Sequence, residues 1–251
     1  MLVMGILNVT PDSFADGGRH NDFKAAVARG LEMIAEDVDI IDIGGESTRP
    51  GAERISEVEE IARTIPVITE LSKHGVTISI DTMRASTAEA AVKAGASIIN
   101  DVSGGLADVA MLQTAARLQV PYIAMHWRGH SKEMNSKAIY GDVVIDVISE
   151  LNERIEAALD AGIQRDKLII DPGIGFAKDA EHNWAIIDSI DHIIAMGYPV
   201  LVGASRKRFL GGDSPDEREQ ATIELTKRLS TTGVWAVRVH SVKPHKEVLS
   251  S

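Results

Sequence analysis

Along the chain, short aliphatic runs alternate with stretches whose apolar positions recur every three or four residues. The runs are Leu2–Leu7, Ile40–Ile43, Thr77–Ile80, Ile98–Ile99, Val120–Met125, Leu168–Ile170, Val200–Val202 and Val234–Val239, eight in all. Short and rich in aliphatic and β-branched residues, they predict buried strands. Helical spacing marks Ala25–Ala35, Val58–Leu71, Ala88–Ala94, Met111–Leu118, Val144–Ala161, Trp184–Ala195 and Ala221–Leu229. Glycines follow several of these helices (Gly75, Gly95, Gly162, Gly197, Gly233), the residue type that accepts left-handed backbone at a helix end. Strands that alternate with helices imply βαβ units and a parallel sheet. Eight units averaging about 31 residues favour a closed (β/α)8 TIM barrel, a single α/β domain over residues 1–251, above an open doubly wound sheet. Only twelve residues follow Val239, so the eighth helix is predicted to be short.

Composition narrows the function. With 44% hydrophobic and 25% charged residues the chain is of ordinary globular type, and no apolar run approaches the length of a membrane span. No export signal is read at the N-terminus, and the lack of cysteine excludes thiolate metal sites and cysteine nucleophiles. A cytoplasmic location is the expectation. A net charge of −11 with 4% aromatic residues argues against nucleic acid as a partner, while leaving room for a small anion held by a few converging cations.

In a barrel of this kind the chemistry lies where the strands end. The runs end on Asn8; on Asp42 followed by Gly44-Gly45-Glu46-Ser47-Thr48-Arg49; on Asp81-Thr82; on Asn100-Asp101; on His126; on Asp171; on Ser205-Arg206-Lys207; and on Arg238 and His240. Any one of these could cap a loop. Eight together point to a site. Asp81, Asn100 and Asp171 offer acceptors and one amide donor to a ligand rich in N–H groups, such as an aminopyrimidine-like ring. Arg49, Arg238 and His240 offer positive charge to a phosphate or carboxylate, so the mouth is expected to divide into an acidic half and a basic half. Lys207 and Arg208 could be a solvated pair at a helix start, but a lysine is unfavourable beside a positive helix N-terminus, which favours a ligand role for Lys207. His126 is open between a site residue and a satisfied strand-end histidine. Asp101 reads as supporting, Glu57-Val58-Glu59-Glu60 as an acidic first helical turn, and His245, with the other scattered histidines, as surface.

These residues carry a resemblance. The stretches MGILNVTPDSFADGG (4–18), DIGGESTRPGA (42–52), SIDT (79–82), IND (99–101), DPGIGFAK (171–178), GASRKRF (203–209) and RVH (238–240) fall in the order found in dihydropteroate synthases. With MHWRG, the chain looks similar to actinobacterial members. The resemblance implies a transferase that joins 6-hydroxymethyl-7,8-dihydropterin diphosphate to p-aminobenzoate. By motif, Asp81, Asn100, Asp171 and Lys207 would bind the pterin; Asn8, Arg49, Arg238 and His240 the diphosphate, with Mg²⁺ on Asn8; and Phe14, Thr48, Pro50, Phe176 and Arg208 would lie around p-aminobenzoate. Asp81, Asp171, Lys207 and Arg238 would carry the chemistry. A homodimer is implied as well. The chain departs from the family pattern at Ser241, where Asp is usual, and in a bulkier segment before the last strand. Two other readings share the barrel: a methyltetrahydrofolate methyltransferase, which would not need Asn8, Arg49 and the RVH run, and a paralogue that binds without turnover.

Overall fold

The computed structural model describes residues 1–10, 18–47, 54–130 and 133–250. Eight parallel strands form its centre: β1 (Leu2–Asn8), β2 (Ile40–Gly44), β3 (Thr77–Asp81), β4 (Ile98–Asp101), β5 (Tyr122–Met125), β6 (Leu168–Asp171), β7 (Leu201–Val202) and β8 (Ala236–Val239). Their order, β6-β5-β4-β3-β2-β1-β8-β7, leaves one seam, and a single parallel bridge, Ile170 to Val200, closes it into a barrel. The helices α1 (Gly18–Ala35), α2 (Glu57–Leu71), α3 (Ala85–Ala94), α4 (Met111–Leu118), α5 (Val143–Asp160), α6 (Ala180–Asp188), α7 (Ile190–Ile194), α8 (Glu219–Leu229) and α9 (Lys243–Leu249) alternate with the strands.

The strand period of two sorts side chains into barrel interior and helix-facing shell. Met4, Ile40, Ile98, Ile123, Ile169, Leu201 and Ala236 pack together as the lower interior layer. A separate and larger cluster, including Val3, Leu7, Ile41, Ile43, Ile78, Ile80, Ile99 and Tyr122, meets the helices. Burying each such side chain contributes roughly 1.5–3 kcal/mol, so two apolar faces per strand explain why the runs are continuous rather than alternating. Two residues further along four of these strands, the interior layer becomes polar. From Ile40 the step reaches Asp42, from Ile98 Asn100, from Ile169 Asp171, and from Ala236 Arg238.

Helix ends follow local chemistry. Ser56 Oγ accepts from Glu59 N at 3.2 Å to start α2, and Asp142 Oδ1 accepts from Val144 N and Ile145 N at 2.9 and 3.1 Å to start α5. Replacing such a cap with Ala costs about 1 kcal/mol. The predicted helix over 184–195 is two helices, because Ser189 leaves helical geometry (φ −112°, ψ 26°) between α6 and α7. Tyr122 rather than Val120 opens β5: Pro121, which lacks an N–H, precedes it. The last helix is seven residues long, as the short tail required.

Candidate active site

The upper interior layer concentrates charge where the strands end. Arg238 lies at its centre: Nε donates to Asp42 Oδ2 and Nη2 to Asp81 Oδ2, both at 2.6 Å. Asn100 Nδ2 donates to the same Asp42 oxygen at 3.0 Å. Asp171 Oδ1 accepts from Gly173 N at 2.7 Å. Asp42, Asp81, Asn100 and Asp171 are all buried, and Arg238 is half-buried. The expected division into acidic and basic halves is therefore corrected: Arg238 stands among the carboxylates, because period two places residue 238 on the same interior level as Asp42 and Asp171.

Burial raises the Asp81 carboxyl to about 7; Arg238 opposes the rise, while Asp42, Glu60 and Asp101 add to it by repulsion. Asp171 is raised by burial too, against the Gly173 N–H, Lys207 and Arg238. Desolvation works against the Arg238 cation, yet Asp42 and Asp81 outweigh it and hold the guanidinium charged. Desolvation lowers Lys207 to about 8, with Asp171 resisting and Arg238 assisting. The site thus holds two carboxyls raised by burial, Asp81 and Asp171, and a lysine lowered by it, beside a guanidinium held charged, a pattern concentrated at functional sites.

The loop after β6 brings the next groups. Lys207 Nζ donates to Ile174 O and lies 4.5 Å from the centroid of the Phe176 ring. Phe176 and Trp127 pack on Met83, Val102 and Met125, an apolar patch formed just past the ends of β3, β4 and β5. An aromatic face beside a lysine and an apolar floor suits a flat ring. His240 is oriented by Ser205, whose Oγ lies 2.9 Å from Nδ1. Asn8 ends β1 opposite Gly44 and is half-buried, its side chain without a hydrogen bond among the described residues.

Several sequence expectations find their places. Asp81, Asn100, Asp171 and Arg238 come together in one layer, with Lys207 and Phe176 beside it. Arg208 stands exposed on the turn Arg208–Leu210, outside this cluster. Phe14, Thr48, Arg49 and Pro50 lie outside the described residues. Asp101 is supporting, its oxygens accepting from Ser103 N and Oγ, Gly105 N and Tyr122 OH at 2.6–2.8 Å. Gly45 is a tight passage, since a Cβ there would lie 2.9 Å from Thr64 Cγ2.

One expectation is overturned, that His245 lies at the surface. Glu60 does lie in the acidic first turn of α2, as expected, and within that turn it is 1% exposed, accepts from Thr82 Oγ1 at 2.7 Å and pairs with Arg84. Arg84 also pairs with Glu46 at 2.9 Å, tying the residues after β2 to those after β3. His245 is likewise fully buried, accepting from or donating to Thr226 Oγ1 at 2.8 Å, because α9 turns it inward against α8. Asp42, noted at a strand end but given no role, proves to be the hub for Arg238 and Asn100. Its step of two from Ile40 was the available signal. Lys178 and His126, described below, were not assigned either.

A parallel barrel whose upper interior layer joins buried carboxylates, an amide and flanking cations defines a barrel enzyme of the pterin-binding class. The chain matches the family described as "Pterin binding enzyme" over residues 4–240 and belongs to it. It is 47% identical to "Dihydropteroate synthase" of Mycobacterium leprae, covering 98% of this chain and 90% of that protein. Among solved structures, it is similar to the dihydropteroate synthase of Xanthomonas albilineans with 4-aminobenzoic acid, at TM-score 0.93 and 41% identity, covering 99% of this chain and 90% of that one. The same enzyme in complex with 7,8-dihydropteroate gives TM-score 0.90 at 38% identity, covering 99% and 91%.

Proposed function

We propose that the chain condenses 6-hydroxymethyl-7,8-dihydropterin diphosphate with p-aminobenzoate, yielding 7,8-dihydropteroate and diphosphate in folate biosynthesis. The observation that carries this reading is the buried layer of Asp81, Asn100 and Asp171 with Arg238 and Lys207 at its edge, on a chain related over nearly its whole length to dihydropteroate synthases.

The carboxylates and Asn100 meet the N–H groups and ring carbonyl of the pterin, with Lys207 against the ring system. Nε and Nη2 of Arg238 face Asp42 and Asp81, leaving the other guanidinium N–H groups for diphosphate oxygens. Bond breaking is heterolytic: the methylene C–O bond parts with its electron pair on the diphosphate, and the electron-rich dihydropterin spreads the resulting positive charge. Asp81 and Asp171 stabilise that charge from a desolvated site. The amine lone pair of p-aminobenzoate then forms the C–N bond, and the nitrogen passes its extra proton to the released diphosphate or to water. No covalent link to the enzyme is needed. The apolar patch under Phe176 excludes water that would otherwise capture the cation.

The donor set fits Mg²⁺. A single amide oxygen, Asn8, stands at the mouth with no competing partner among the described residues, and Mg²⁺ commonly takes one or two protein oxygens with substrate phosphates and water completing its shell. Bound there, it would neutralise charge on the departing diphosphate. The same reading has Arg49 and His240 on the diphosphate, and Phe14, Thr48, Pro50, Phe176 and Arg208 around p-aminobenzoate. It also has a homodimer in the cytoplasm, with sedimentation velocity as the check on assembly. Among the described residues no helix is long and apolar enough to cross a membrane.

Purified protein given both substrates and Mg²⁺ should release diphosphate and dihydropteroate, while Lys207→Ala, purified in parallel, should not. Bound pterin diphosphate without product would instead select the paralogue that binds without turnover.

A further inference from the structure

The turn that follows β6 has two faces. Toward the site, Gly173 N donates to Asp171, Ile174 O accepts from Lys207, and Phe176 packs on the apolar patch. Its other face is held by residues outside the chemistry above. Lys178 is 9% exposed, and its Nζ lies 2.9 Å from His126 Nδ1, 3.1 Å from Gly173 O and 3.1 Å from Phe176 O. An ammonium has three N–H bonds, and three acceptors surround it. This accounting requires an unprotonated Nδ1 on His126. The partner of Nε2 supplies the reason: Glu150 Oε2 lies 2.9 Å away, so the Nε2–H tautomer satisfies both contacts.

Glu150 is in turn gripped by Arg128, whose Nε lies 3.0 Å from Oε2 and whose guanidinium stacks 3.8 Å above the Tyr140 ring. Tyr140 OH then donates to Ala177 O at 2.9 Å. The carbonyls of residues 173, 176 and 177 are thus all held from behind. The backbone needs holding: Gly173, Gly175 and Ala177 all have positive φ, and at 48° Ala177 adopts a conformation that disfavours a side chain. Burial, with Lys207 and Arg128 nearby, pulls Lys178 down to about 7, and the charges of Asp171 and Glu150 oppose the fall.

We propose that Lys178, braced by His126 and Glu150, is a positioning residue for the amine substrate: it fixes the curl of the 173–177 turn and so sets Phe176 against Lys207. The inference rests on the transferase reading for the identity of that substrate. Lys178 touches neither reactant. Its effect reaches p-aminobenzoate through Phe176 and Ala177 at the far end of the turn, whereas the pterin keeps Asp81 and Asn100 on other strands and Asp171 and Lys207 at the near end, by Gly173 and Ile174.

The test begins with the parent protein. In ¹⁵N NMR, His126 should show Nε2 protonated and Nδ1 unprotonated, and Nδ1–H would overturn the brace whatever the turnover result. Lys178→Met should raise KM for p-aminobenzoate about tenfold while the Kd for pterin diphosphate stays within about twofold. Tyr140→Phe, which deletes one hydroxyl, and Glu150→Gln, which keeps its shape, serve if Lys178→Met does not fold. Each should raise the same KM by about two- to fivefold at a near-parent melting temperature. An unchanged KM in the folded variants, or a parallel loss of pterin affinity, refutes the proposal. A parent that makes no dihydropteroate refutes the transferase reading instead, and the His126 tautomer with its loss in Lys178→Met then decides the brace alone.

Discussion

Replacing Arg238 with Met removes one cation from between two buried carboxylates, and the consequence can be worked from the contacts. Asp42 is fully buried; Oδ2 accepts from Arg238 and Asn100, and Oδ1 has no hydrogen-bond partner among the described residues. Asp81 is 6% exposed and pairs with the same guanidinium at 2.6 Å. Breaking a buried pair from one side costs about 3–5 kcal/mol, because an uncompensated charge remains. Two pairs share this cation, but the loss does not double, since one of the paired carboxylates can take up a proton. Arg238→Met should therefore lose about 3–5 kcal/mol at pH 8, or roughly 6–20 °C in Tm for a chain of this size. The sign of the pH dependence follows. The Asp81 carboxyl, already raised to about 7 with Arg238 opposing the rise, titrates higher still above the unfolded value of about 3.9 without it, so the native state binds the additional proton. The deficit must shrink as pH falls from 8 to 5.5. Urea melts of parent and variant at both pH values measure it, and Arg238→Met with Asp42→Asn should recover part of the loss. A deficit under about 1 kcal/mol, or one equal at both pH values, would refute the claim that these carboxylates depend on Arg238.

Three further outcomes are expected. The free-enzyme kcat/KM for pterin diphosphate should be bell-shaped, rising as Asp81 ionises near pH 7 and falling as Lys207 deprotonates near pH 8; Asp81→Asn should abolish the acid limb, and a flat profile from pH 6 to 9 would contradict both assignments. Gly173→Ala should destabilise by roughly 3 kcal/mol or more in urea melts, because φ is +68° and the new Cβ would meet His126 O at 2.4 Å. Chelating Mg²⁺ should weaken pterin diphosphate binding in calorimetry while sparing a pterin without phosphates, and Asn8→Ala should raise the Mg²⁺ concentration needed for turnover; equal binding with and without the metal would remove Asn8 from that role.

Much of the barrel was readable because parallel strands buried on both faces write themselves as unbroken aliphatic runs, and eight such runs leave little choice of architecture. The polar residue after each run located the mouth. Pairing within the mouth was not readable. Arg238 looks like a basic group for an anion, and nothing in its neighbours along the chain says that it will lie 2.6 Å from Asp42 and Asp81. That follows from closing the barrel, which sets β8 beside β1 and two strands from β2. The burial of Glu60 was hidden for a related reason: the first turn of α2 is acidic as read, but Thr82, Thr87 and Arg84 converge on this one carboxylate from beyond β3. His245 failed because a seven-residue tail helix gives too little periodicity to show which side faces α8.

The same layer that binds also has to fold, and this joins the stability of the mouth to its chemistry. Below it, Met4, Ile40, Ile98, Ile123, Ile169, Leu201 and Ala236 fill the barrel with apolar volume, which denies water to the carboxylates above. Desolvation then raises Asp81 to about 7 and lowers Lys207 to about 8, so neither is fully committed to its charged form near neutral pH, and it raises Asp171 as well. On the proposed reading, an N–H-rich pterin supplies further donors to Asp81 and Asp171, and a diphosphate supplies the anion that Arg238 can accept. Substrate binding therefore completes a set of interactions that the empty barrel satisfies only in part. On this argument pterin diphosphate should raise Tm more than pterin and free diphosphate added together at equal site occupancy, because only the joined molecule satisfies both sets of charges at once. Additive or smaller shifts in a thermal melt would mean that the carboxylates and the cations act as separate subsites.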